Sequence, residues 1–139
     1  MKKRFLGVII AIVMVLGLVP SFAIAASAAT EVHASGTLGQ YDRTAWTIYD
    51  NGLLVIDGKG NTMTSEKWDS TTASPWKDYA DIITKVTFVN CQNWKSLPAH
   101  SFKSLKNLKE ITLPENLEVI QQLALGYTGI ETIELPQSL

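Results

Sequence analysis

The segment LKEITLPENL (Leu108–Leu117) returns as IETIELPQSL (Ile130–Leu139), and this recurrence decides the fold. Leu108, Ile111 and Leu113 in the first correspond to Ile130, Ile133 and Leu135 in the second, and an earlier frame stands at Ile83, Val86 and Phe88. The period, read from Ile83 to Leu108 to Ile130, falls within the roughly 20–29 residues of one stacking coil. Residues two apart on an extended chain share a face, so Ile111 and Leu113 face inward while Thr87, Thr112 and Glu134 face the other way. Pro114 and Pro136 follow directly, where a missing N–H is tolerated. Downstream, Trp94, Leu97 and Phe102 match Leu117, Ile120 and Leu125, with Ser101 and Ala124 in the small position before the last. One such coil cannot cover its own apolar face, but stacked coils cover each other.

The preceding zone is not repetitive. TAWTIYDNGLLVIDG (Thr44–Gly58) puts Trp46 and Ile48 on one face, then a turn at Asp50-Asn51-Gly52, then Leu54 and Ile56 on one face. Period-two alternation around Asn-Gly is a hairpin signal. Gly58–Ser74 is a polar loop. Ser74 as N-cap, Pro75 at the first helical position and Asp78 near the N-terminus predict a short helix over Pro75–Asp81. Residues 29–36 are expected to be a flexible lead-in, 37–81 the β cap, and 82–139 the repeats, two units and a partial third.

The segment Met1–Ala28 predicts a secretory signal peptide. Lys2, Lys3 and Arg4 precede the apolar run Phe5–Leu18, and Pro20 leads to small-residue cleavage sites ending at Ala25 and Ala28. An uncleaved anchor is the competing reading, because Phe5–Ala29 is uncharged and long enough to span a bilayer. Pro20 and the two sites favour cleavage. The membrane is therefore expected to matter only during export, and the chain to be secreted or displayed at the cell surface. Without Lys2, Lys3 and Arg4, the 12 basic residues fall to nine against 13 acidic, a net charge of −4. That argues against nucleic acid, which needs a basic face.

Little here suggests reaction chemistry. Cys91 is the sole cysteine, so neither an internal disulfide nor a cysteine metal site is expected. The two histidines, His33 and His100, stand in no nucleophile, zinc or redox motif. DGKGNTMTSE (Asp57–Glu66) fails as a calcium loop, because Thr62 and Trp68 stand where Gly and Glu are needed. Cys91, eight residues after Ile83, is expected to be a buried thiol that ties off a turn. Trp46, Trp76 and Trp94 lie in apolar frames and are expected in the core. Trp68 lies in a polar loop and is the one candidate for stacking on a sugar.

SGTLG (Ser35–Gly39), AWTIYDNGLLVIDGKGNTM (Ala45–Met63) and SPWKDYADIITKVTF (Ser74–Phe88) together resemble the N-terminal cap of the BspA-like leucine-rich repeat proteins of bacteria. The following units resemble that family's repeat, approximately L-x-x-I-x-L-P-x-x-L-x-x-I-x-x-x-A-F, and the period is typical of leucine-rich repeats. The resemblance spans Ser35–Leu139. Departures are Leu38 where Cys is usual, Leu125 where Phe is usual, Gln121 where Gly is common, and two extra residues around Val89–Asn93. The expected fold is β-rich: an N-terminal β-hairpin cap, then a short right-handed leucine-rich repeat solenoid. The resemblance implies a surface or secreted module for adhesion or ligand binding, no catalytic activity and no cofactor.

The candidate binding surface is the outer face of the repeat strands: Lys85, Thr87, Glu110, Thr112, Thr132 and Glu134. The expected partner is an extracellular protein, of a host for example, or a glycan. Natural arrays end in an atypical polar repeat. IETIELPQSL is not one, so the chain is expected to be the N-terminal part of a longer adhesin-like protein. Alternatives are the targeting region of a secreted enzyme and a carbohydrate-binding module using Trp68.

Overall fold

The computed structural model describes residues 31–38, 43–61 and 74–139. The signal-peptide segment, most of the polar loop, and Trp68 lie outside the described residues.

The hairpin forms as expected. Strands β2 (Thr44–Tyr49) and β3 (Leu53–Asp57) pair antiparallel with Trp46 opposite Ile56 and Ile48 opposite Leu54. All four side chains are buried. The turn closes through the Gly52 amide donating to the Tyr49 carbonyl at 2.9 Å.

The expected lead-in is instead partly a strand. β1 (Val32–Leu38) pairs antiparallel with β2. Its half-buried residues are Ala34, Gly36 and Leu38, and with the first two so small only Leu38 marks the inward face by hydrophobicity. Trp46 explains the glycine: a Cβ on Gly36 would come within 2.7 Å of its indole ring. The expected helix over Pro75–Asp81 is likewise only one 3-10 turn, Lys77–Tyr79, without a side-chain cap. The chain turns back at once: the Ile82 and Ile83 amides both donate to the Tyr79 carbonyl, and no room remains for a second turn.

The repeats then extend the sheet. β4 (Lys85–Val89) pairs parallel with β3, and β6 (Glu110–Thr112) pairs parallel with β4, giving the order β1-β2-β3-β4-β6. On the return side, β5 (Ser96–Leu97) and β7 (Val119–Ile120) form a second parallel pair. Ladders tie the two coils on each side: Lys109 N–H to Thr84 O at 2.9 Å, Glu118 N–H to Lys95 O at 2.8 Å, and Phe102 N–H to Ala124 O at 2.8 Å. The third frame behaves differently. Residues 130–135 form no strand and no ladder with β6, although Ile130 and Ile133 pack against the core.

Between sheet and return segments lies one apolar cluster. Val86 and Ile111 meet Leu97, Leu105, Leu108 and Leu117 from the coils, and Ile48, Leu54 and Ile56 from the cap. Trp46, Trp76 and Trp94 are all buried in it, as expected. Trp76 stacks on Phe102 with ring centroids 5.5 Å apart, and Phe88 meets Trp94 edge-on at 5.6 Å.

Ser101 is a weak point in this core. Its hydroxyl is buried without a hydrogen-bond partner, and the next coil carries Ala124 in the same place. An unmet buried polar group costs about 1–3 kcal/mol. Ser101→Ala is therefore expected to raise stability by about 1 kcal/mol, seen as a higher urea midpoint at unchanged slope. An unchanged or lower midpoint would count against this account.

Candidate functional site: the outer strand face and its cleft

The face is built by alternation. Inward Val86 and Ile111 leave Lys85, Thr87, Glu110 and Thr112 on the opposite side of β4 and β6. Parallel register places Lys85 beside Glu110 and Thr87 beside Thr112. The Lys85 ammonium meets the Glu110 carboxylate at 2.5 Å, an exposed contact that links the coils. Lys95 and Glu118 make the equivalent link on the return side at 2.7 Å.

Five of the six expected residues are accessible. Thr87 is not: it is 4% exposed. It stands at the centre of an interior strand, between Val55 on β3 and Thr112 on β6. Lys85 and Val89 flank it along its own strand. A short side chain among taller neighbours is covered by them, so Thr87 spaces the face rather than offering itself for contact.

Glu110, Thr112, Thr132 and Glu134 come together around a cleft of about 600 Å³ between β6 and residues 132–136. Ile111, Leu113, Ile133, Leu135, Glu115 and Pro136 complete its lining. Leu135 is 60% exposed. The far wall is held at both ends. Close approach of Gly129 to the Lys106 carbonyl leaves no space for a Cβ. At the other end, the Ser138 hydroxyl lies 3.0 Å from the Glu115 carbonyl and 2.6 Å from that of Leu117.

Ser138 belongs to a series. Eight residues into each coil, a side chain ties the turn to the coil before it. Cys91 Sγ lies 3.7 Å from the Ile56 carbonyl and 3.2 Å from that of Val89, and the Asn116 amide donates to the Gln92 carbonyl at 3.1 Å. Burial pushes the Cys91 thiol from 9.0 up to about 12; the Gly58 amide offsets part of this and the Asp57 carboxylate adds to it. At pH 8 the native thiol is expected to label roughly a thousandfold more slowly than in denaturant, since the thiolate is the reactive form. The folded-state pKa is the raised one, so this contribution to stability is whole below pH 9 and lost as pH climbs toward 12. Cys91→Ala should flatten that alkaline decline. Equal labelling rates in folded and unfolded chains would rule the account out.

The His33 Nδ1–H donates to the Asp50 carboxylate at 2.9 Å, and the ring meets Tyr79 edge-on. His100 stands in a turn at φ 60°. The described residues hold no group of three or more metal-ligating side chains. Among them, no helix is long and apolar enough to cross a membrane.

One surface feature escaped the sequence reading. Ser96, His100 and Ser104 of the first coil correspond to Val119, Leu123 and Tyr127 of the second. His100, Ser104, Leu123 and Tyr127 all have left-handed backbones, and Tyr127 is 70% exposed. A polar row thus becomes apolar between adjacent coils. Aligning one return segment on the other would have found it.

The family model for the BspA type leucine rich repeat region (6 copies) matches residues 77–139. Over these residues the chain is similar to the BspA-type leucine-rich repeat family. The crystal structure of a leucine-rich repeat protein from Eubacterium ventriosum ATCC 27560 superposes with a TM-score of 0.56 at 20% identity. The likeness covers 71% of this chain and 25% of that one, so the chain spans about a quarter of the length of that structure. At this identity the likeness shows the fold. A search of curated proteins found no match. Residues 77–139 thus form a leucine-rich repeat module.

Proposed function

We propose that this BspA-type array is a non-enzymatic module, secreted or held at the cell surface, that adheres to an extracellular protein through its outer strand face. One observation carries the reading: Glu110, Thr112, Thr132 and Glu134, from two successive coils, converge on one cleft whose lining also includes the exposed Leu135. Convergent polar groups around a partly apolar recess suit recognition. The signal-peptide pattern expected from the sequence of Met1–Ala28 supports an extracellular setting.

Immobilised extracellular matrix proteins and a glycan panel, probed with the full chain, test this. Saturable binding to a protein is expected, weakened about tenfold in Thr112→Lys/Glu134→Lys. Binding that ignores this variant, or that is confined to glycans, would overturn the reading.

A further inference from the structure

The cleft has a backbone wall as well as side chains. The Glu110 amide donates to the Thr84 carbonyl at 3.3 Å, toward the first coil. Successive residues of a strand direct their N–H and C=O groups to opposite sides. Ile111 and Leu113 therefore direct theirs away from β4, into the cleft. Neither makes a backbone hydrogen bond with residues 131–136. An open edge of this kind pairs with an extended chain.

The opposite wall does not fill that role itself, because Gly129 and Ser138 hold it at its two ends while its middle stands off. A cleft of about 600 Å³ lies within the usual size of ligand sites. Its charge is one-sided. Glu110, Glu115 and Glu134 line it and no basic residue does. Lys85 neutralises Glu110 from outside, whereas no ion pair among the described residues involves Glu115 or Glu134.

We infer that the cleft accepts an extended segment of a partner protein, added as a strand to β6, with lysine or arginine at alternate positions to meet Glu115 and Glu134. The intervening side chains of that segment lie over Ile111, Leu113 and Leu135. No described strand of this chain alternates basic residues, so a second copy does not supply the segment. The inference rests on the binding-module reading above and names the partner chemistry for that face.

The test uses the full chain and two peptides, Lys-Val-Lys-Thr-Lys-Val and its glutamate counterpart Glu-Val-Glu-Thr-Glu-Val. NMR titration should show saturable binding of the basic peptide alone. Amide exchange at Ile111 and Leu113 should slow by at least about tenfold on binding, as new ladder bonds form. Glu115→Lys/Glu134→Lys should weaken binding about tenfold or more while leaving the fold intact by circular dichroism. Three results would overturn the inference. One is protection of Ile111 and Leu113 in the free chain as full as that of β4, showing residues 131–136 seated on the edge. Another is equal binding of both peptides. The third is binding of the basic peptide without protection of those amides. If extracellular proteins bind while the peptide fails these tests, the inference falls and the module reading stands; peptide addition without any extracellular ligand gives the reverse.

Discussion

Trp76→Ala is expected to destabilise the chain by about 3–5 kcal/mol, the range for removing a buried aromatic. Trp76 is 1% exposed and joins two parts of the molecule. Toward the cap it meets Trp46 edge-on at 6.4 Å. Toward the first coil it stacks on Phe102, and its indole N–H donates to the Ser101 carbonyl at 2.7 Å. The alanine variant loses the area, the stacking and the hydrogen bond together. Trp76→Phe keeps most of the area but leaves the Ser101 carbonyl unmet, so about 1–3 kcal/mol is expected. Domains of this size are stable by only about 5–15 kcal/mol. The alanine variant should therefore unfold at much lower urea, with cap and coils separating into two transitions because repeat stability is a sum of neighbour terms. A single transition within about 1 kcal/mol of wild type would show that Trp76 is not the joint.

Much of this joint was legible beforehand. Trp46, Ile48, Leu54 and Ile56 alternate around Asn-Gly, and local periodicity of that kind survives in any surroundings. The frames at Ile83, Leu108 and Ile130 were legible because each coil must bury the same positions. β1 was hidden because a strand that packs beneath a tryptophan carries small residues, and Ala34 and Gly36 look like a tail. Ser74, Pro75 and Asp78 favour a helix start, but how far a helix runs is set by where the chain must turn, here at Tyr79–Ile83. On the outer strand face, residue type was legible and exposure was not. Thr87 is covered by Val55, a neighbour that belongs to the cap hairpin and lies far off in sequence. The cleft depends on the spacing of the third frame from β6, and the frame itself, Ile130-x-x-Ile133-x-Leu135, matches one that does pair. What differs is Gly129 at its start, where the preceding coil has Asn107, and the outward residues Glu131, Thr132 and Glu134 in place of Lys109, Glu110 and Thr112.

The second large effect is expected at the other side of the same joint. Gly52→Val should cost roughly 2–5 kcal/mol, combining a left-handed backbone forced on a branched residue with overpacking. Gly52 has φ 83°, and a Cβ there would lie 2.6 Å from Thr84 Oγ1 and 2.7 Å from the Ile82 carbonyl. Its own carbonyl accepts the amides of Thr84 at 2.9 Å and Lys85 at 3.2 Å. The hairpin turn is thus the point on which β4 takes its register against β3, with Leu53 beside Lys85. Gly52→Asn separates the two causes: asparagine tolerates the left-handed backbone but still brings a Cβ, so a cost equal to that of valine assigns the effect to crowding. A valine variant within about 0.5 kcal/mol of wild type would remove both. Displacing β4 also moves Lys85 from Glu110, so weaker partner binding should accompany the lost stability. Trp76 and Gly52 act on one interface from its two sides. Once either change has parted cap from coil, the other has less left to break. The double variant Trp76→Ala/Gly52→Val should therefore fall short of additivity by about 1 kcal/mol or more; strict additivity would mean that cap and coils are joined at two independent places rather than folding as one unit.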